Sequence, residues 1–140
     1  MAEHENAQHK HHNHRESFEI PGAEAFLEAH MHDQAATVSM AICPSEGSVF
    51  AFAKLVETMR QIAADAEAAG GIIGHIKAFA REEDAFAHAS VTTAELDPAC
   101  EGDISASFGE EADIQLVAIV LLISQDDLIA ICRRALTAMG

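Results

Sequence analysis

Histidine is the residue type that most invites chemistry in this chain, and five of its nine copies fall in the first fourteen positions. His4, His9, His11, His12 and His14 are interleaved with Glu3, Glu5, Asn6, Gln8, Asn13 and Glu16. Imidazole nitrogens suit late first-row divalent ions such as Zn, Ni or Co, and nearby carboxylates can complete a loose coordination shell. Purification tags are usually unbroken histidine runs, so the interleaving favours a native metal-collecting tail; a solubilising leader or a tag is the alternative. Apart from Met1 and two alanines this stretch has nothing apolar to bury, so its ordering entropy goes uncompensated. Residues 1–16 are therefore expected to be a disordered His-rich tail ahead of a single domain over 17–140.

Two further groups lie in the body. His30-Met31-His32-Asp33 has the HxH spacing of a metal-ligand pair if it is extended, because side chains alternate along a strand. In a helix the two imidazoles would diverge and could not share an ion. His75 and His88 sit on two segments that read as a β-hairpin, Ile72 to Ala80 and Ala85 to Thr93, joined by Arg81-Glu82-Glu83-Asp84 as a charged turn. With Phe79 opposite Phe86, Lys77 faces His88 and His75 faces Ser90, so the four polar residues share one sheet face. The bland reading of that patch is the solvated side of a hairpin. The metal reading needs neutral imidazoles, so affinity should fall as pH drops through about 6.5. The expected body ligands are His30, His32, Asp33, His75 and His88.

An enzymatic alternative puts Lys77, desolvated between His75 and His88, in the role of a base or Schiff-base amine. No Ser-His-Asp order, CxxC pair, nucleophile elbow or phosphate loop accompanies it, and a salt-bridged surface lysine explains it as well. The expectation is a protein without catalysis.

The element these groups must be built around runs from Ile114 to Ile123, almost wholly apolar and rich in β-branched residues. It is too short to span a bilayer as a helix, which takes about 20 residues. It fits a strand buried on both faces in the middle of a sheet. Thr37 to Cys43 alternates as a half-buried strand stopped by Pro44. Ser48 to Ala69 carries an apolar stripe at the helical period, with Ser45 or Ser48 to cap it and Gly70-Gly71 to end it. Phe18 to Gly22 looks extended and Ala23 to Ala29 helical. Asp103 to Phe108 is a further possible strand in an irregular acidic stretch. Gln125 to Met139 is a last helix capped by Ser124, with Asp126 and Asp127 at its positive end.

The formal charge of −15 repels phosphate backbones and anionic membrane surfaces, so neither nucleic acid nor membrane is an expected partner. Three cysteines, an odd number without close pairing, fit a reducing compartment rather than a disulfide framework. With no apolar leader at the N-terminus, a cytoplasmic location is expected.

One strand-helix-strand crossover plus antiparallel hairpins predicts an α+β fold: a single mixed, mostly antiparallel sheet of four to five strands, ferredoxin-like, with two helices on one face. The other face would stand open unless a homo-oligomer or a protein partner covered it.

His30, His32 and Asp33 running into Thr37-Val38-Ser39-Met40, Gly71-Ile72-Ile73-Gly74-His75-Ile76-Lys77 after the long helix, the Phe86 to Val91 strand, Leu116-Val117-Ala118-Ile119 and Asp126-Asp127-Leu128 together resemble the C-terminal domain of the CobW-type metal-chaperone GTPases. The resemblance covers residues 30 to 138. It implies an accessory domain that holds metal or docks a partner, with the same α+β sheet. It implies no GTP hydrolysis, because the chain has no G-x-x-x-x-G-K-[ST] loop and lacks that family's Cys-x-Cys-Cys motif.

Overall fold

The structure is a computed structural model that describes residues 13–139, so His4, His9, His11 and His12 lie outside the described residues. In chain order the elements are β1 (His14–Ile20), β2 (Ala23–His32), β3 (Ala35–Pro44), β4 (Phe50–Ala51), α1 (Phe52–Ala68), β5 (Ile72–Glu82), β6 (Ala85–Val91), β7 (Ala99–Gly102), β8 (Ser107–Phe108), β9 (Asp113–Leu121) and α2 (Gln125–Thr137). Seven strands form one sheet in the order β1-β2-β3-β9-β5-β6-β7, and β4 with β8 forms a short separate ribbon. Every pairing is antiparallel.

This corrects the expected α+β, ferredoxin-like fold with a mixed sheet of four to five strands: the described residues are mostly β, with two helices. The crossover through α1 does connect β3 to β5, which run the same way. The chain then returns as β9 between them, so no two parallel strands touch. The extra strands come from three places. Ala23–Ala29 reads as helix because Ala, Glu and Leu are good helix formers, yet it is strand: Ala23, Ala25, Leu27 and Ala29 are buried while Glu24 and Phe26 are exposed, a period of two. β1 begins at His14, inside the stretch expected to be tail, and pairs with β2 across a two-residue Pro21-Gly22 turn in which Gly22 has φ of 73°. β7 is four exposed residues on the outer edge beside β6.

β9 sits at the centre, as its composition predicts, but it is not buried on both faces. Ile114, Leu116, Ala118 and Val120 are fully enclosed by the helices, while Val117 and Ile119 on the opposite face are only half-buried. α1 packs over β5 and β6, α2 over β1 to β3, and the helices touch each other. Alanine is frequent on the inner face (Ala25, Ala29, Ala36, Ala80, Ala87, Ala89, Ala118), which lets the helices approach closely.

α1 starts at Phe52 rather than Ser48. The residues before it are drawn into the β4–β8 ribbon, and its N-cap, Ala51, makes no side-chain capping bond, so Ser45 and Ser48 do not cap it. Its C-terminus ends as expected: Gly70 takes φ of 93°, and Gly71 N–H donates to the Ala66 carbonyl at 2.9 Å. Ser124 Oγ caps α2 by accepting from Asp127 N–H at 3.0 Å.

Leu116 is wholly enclosed between β9's neighbours and the helices. Leu116→Ala should lower the unfolding free energy by about 2–5 kcal/mol, read from urea midpoints, with the far-UV spectrum retained.

Candidate functional site: the uncovered face of the sheet

The helices cover one side of the sheet, and the other side is bare. The pairings set out its side chains in rows. One row runs Glu28, Ser39, Val117, Lys77, Ser90 from β2 to β6 through β3, β9 and β5. On one side of it lie Phe26, Ala41, Gln115, Phe79 and His88. On the other lie His30, Thr37, Ile119 and His75, then His32, Ala35, Leu121 and Ile72. Val117 and Ile119 thus stand at the centre between Ser39, Thr37, Lys77 and His75, while Phe26, 46% exposed, Ile72, 57% exposed, and Phe86, 38% exposed, lie farther out. A shallow depression of about 520 Å³ over β1 to β3 is bordered by Arg15, Ser17, Phe26, Glu28, Ser39 and Ala41.

A β-bulge creates part of this arrangement. Ile73 and Ile76 are both buried although three residues apart, which strict alternation forbids. The register shifts between Ile73 and His75, adding one residue, so Gly74 and His75 both lie on the bare side. A Cβ on Gly74 would stand 3.1 Å from the Ile119 carbonyl oxygen, so glycine suits the close approach.

The cations of this face are few, and carboxylates lie on both sides of them: Asp113 of β9 pairs with Arg81 in register and Glu101 of β7 with His88. Glu19, Glu24 and Glu28 belong to β1 and β2, where Arg15 Nε donates to Glu28 Oε2 at 3.0 Å. Lys77 and Arg81 belong to β5 and meet no carboxylate at ion-pair distance among the described residues.

The expected metal ligands are not assembled here. His30 and His32 do lie on one face of an extended strand, but His32 meets only the exposed Asp33, with Nε2 3.8 Å from Oδ2, and Asp33 sits in a turn with φ of 57°. His75 lies three strands from His30, about 14 Å at the usual spacing. The hairpin register differs from the expected one: Phe79 pairs with His88, Lys77 with Ser90 and Arg81 with Phe86. The turn is only Glu83-Asp84, because Arg81 and Glu82 remain in the strand instead of forming it. All four polar residues share the bare face, yet His75 and His88 stand about 13 Å apart along the strands. Among the described residues no group of three or more His, Cys, Asp or Glu side chains is placed to hold a metal ion.

His14 is on the opposite side of the sheet, under α2. Its Nε2 shares a hydrogen bond of 2.9 Å with Glu16 Oε1, and Arg133 Nη2 of α2 donates to Glu16 Oε2 while its guanidinium lies 5.7 Å from the centre of the Phe18 ring. This cluster ties α2 to β1. Cys132 is buried, and that burial pushes its thiol up to about 12; Cys43 and Cys100 are exposed, and all three are free. No helix among the described residues is long and apolar enough to cross a membrane.

Sequence reasoning missed Glu24, Phe26 and Glu28, hidden by reading β2 as helix, and Arg15, hidden because it falls in the stretch read as tail. The signal was the alternation Ala23-Glu24-Ala25-Phe26-Leu27-Glu28-Ala29, apolar at each odd position. No protein-family model, curated protein or solved structure matches the chain.

Burial raises the Glu16 carboxyl, but hydrogen bonds from His14 and Arg133 and the Arg133 charge outweigh it and hold the group below its ordinary 4.5. A depressed carboxylate stabilises the fold above its unfolded value and loses that contribution as pH falls through the folded one. Stability should therefore decline as pH drops below about 4.5. Urea unfolding of Glu16→Gln across that range should show a lower plateau at neutral pH and a shallower acid limb.

Proposed function

We propose that this protein is a non-enzymatic assembly module of the cytoplasm whose working surface is the uncovered face of the sheet. One observation carries the reading: the central strand bears Val117, Ile119 and Leu121, side chains suited to a core, on a face that nothing in the described chain covers. Scattered apolar residues are ordinary on a surface, but an apolar strip along the central strand of an uncovered sheet face, with polar and charged groups around it, suits an interface. Ser39, Thr37, Lys77 and His75 flank the strip, and Glu24, Glu28 and His88 lie farther out. The free, unpaired thiols agree with a reducing compartment.

The test is shielding of Ile119. In a chain with Cys43→Ser and Cys100→Ser, Ile119→Cys adds one thiol to the face, and the buried Cys132 stays silent. Read by mass spectrometry and taken relative to Ala130→Cys on the exposed side of α2, it should react several-fold more slowly inside producing cells than in the same chain purified and diluted to a monomer. Equal rates would sink the reading.

The histidine tract at the start of the chain favours a second reading, capture of Zn, Ni or Co. The resemblance to CobW-type accessory domains points the same way. Equilibrium dialysis of the whole chain against one beginning at Asn13 checks it: micromolar or tighter binding by the first and weaker binding by the second is the expected result.

A further inference from the structure

We infer that the occupant of the uncovered face is a second copy of this chain, packed sheet against sheet about a two-fold axis that runs parallel to the strands between β3 and β9. This rests on the reading of that face as an interface and adds which partner fills it and in what register. The argument is self-complementarity, which an isologous contact requires because one surface must match itself.

Rotation about such an axis lays β9 of one copy over β3 of the other, β5 over β2, and β6 over β1, while each row keeps its level along the strands. The observed rows then meet in pairs. Glu28 faces Lys77 of the second copy, because both belong to the row of Val117. Phe26 faces Phe79 in the row of Gln115, and Thr37 faces Ile119 one row to the other side. Glu24, one row beyond Phe26, comes level with Arg81, one row beyond Phe79. Each contact occurs twice. The carboxylates of β2 thereby meet the two β5 cations that lack an ion-pair partner among the described residues, and aromatic rings meet aromatic rings.

Charge explains why the match has to be this specific. A chain of net charge −15 repels its own copy, and like charges brought together across an interface are costly. The crossed register sets Glu28 against Lys77 and Glu24 against Arg81, which offsets part of that repulsion. Area agrees as well. Six overlapping strands at about 4.8 Å and some seven residues at about 3.3 Å give roughly 670 Å² of sheet per copy. Doubled, that falls within the range of about 1,200–2,000 Å² for specific interfaces. Packed sheets stand about 10 Å apart, which lysine, glutamate and phenylalanine side chains can bridge from both sides.

A charge-exchange cycle on the full chain tests this by sedimentation velocity over a micromolar series. The wild type should run at twice 14.9 kDa. Lys77→Glu and Glu28→Lys should each raise the dissociation constant roughly tenfold or more, since each places like charges opposite one another twice. The double variant should return to within a few-fold of wild type. That recovery cannot come from damage to the fold, which the double variant would compound. A wild-type dimer in which the exchange rescues nothing overturns the proposed register. A wild-type monomer overturns the second copy altogether; if the Ile119→Cys thiol is still shielded in cells, the face belongs to another protein and the interface reading stands. A monomer with that thiol open in cells overturns both.

Discussion

Everything in this molecule depends on the need of one strand, β9, to keep its apolar side chains from water on both sides. It lies fourth of seven in the sheet and hydrogen-bonds to β3 and β5, so its backbone polar groups are paired along both edges. On the inner side, Ile114, Leu116, Ala118 and Val120 are sealed by α1 and α2. On the outer side no element of the described residues plays that part. There Val117, Ile119 and Leu121 follow one another along the strand with Ser39, Thr37, Lys77 and His75 at their sides, a mixed surface where the inner side is wholly apolar.

The rest of the fold follows from serving the inner side. Inserting β9 between β3 and β5 turns what would have been a parallel crossover into a fully antiparallel sheet. Antiparallel neighbours need only tight connections, and two-residue turns join β1 to β2, β2 to β3 and β5 to β6. Those turns hold the rows in register, so the pattern on the bare face is as firmly specified as the packing under the helices. The Glu16–Arg133 contact clamps the first strand to the last helix, closing the end of the sheet where the apolar supply runs thin.

What could be read from the residues alone was whatever left a strong period. The uninterrupted apolar run of β9, the wide stripe of α1 and the capped start of α2 each specify an element by side-chain spacing, and each is present. β2 was not legible by propensity, because alanine, leucine and glutamate favour helix, and burial against α2 overrides that preference. β7 left no trace because all four of its residues are exposed and its pairing to β6 comes from backbone bonds alone. The bare face could be foreseen, since helices could be placed on one side only. Its composition could not, because half of its acidic border lay in the misread segment. For the histidines, sharing a face was legible. Sharing a row was not, as a row depends on where the turn falls, and Arg81-Glu82 carries the charge of a turn while lying in a strand.

The surplus residue at Gly74 has a consequence for how this chain can vary. Downstream of it, β5 is one step out of phase with its own beginning, and that offset is all that keeps Ile76, Ala78 and Ala80 beneath α1 while Lys77, Phe79 and Arg81 look outward. The bulge holds that phase by absorbing the extra residue: paired without it, the same residues would turn Lys77 and Arg81 toward the helices and leave Ile76 in water. Loss of Gly74 alone would leave Ile73 and Ile76 on one side in strict alternation, so β5 tolerates a residue fewer at this point and no residue more beyond it.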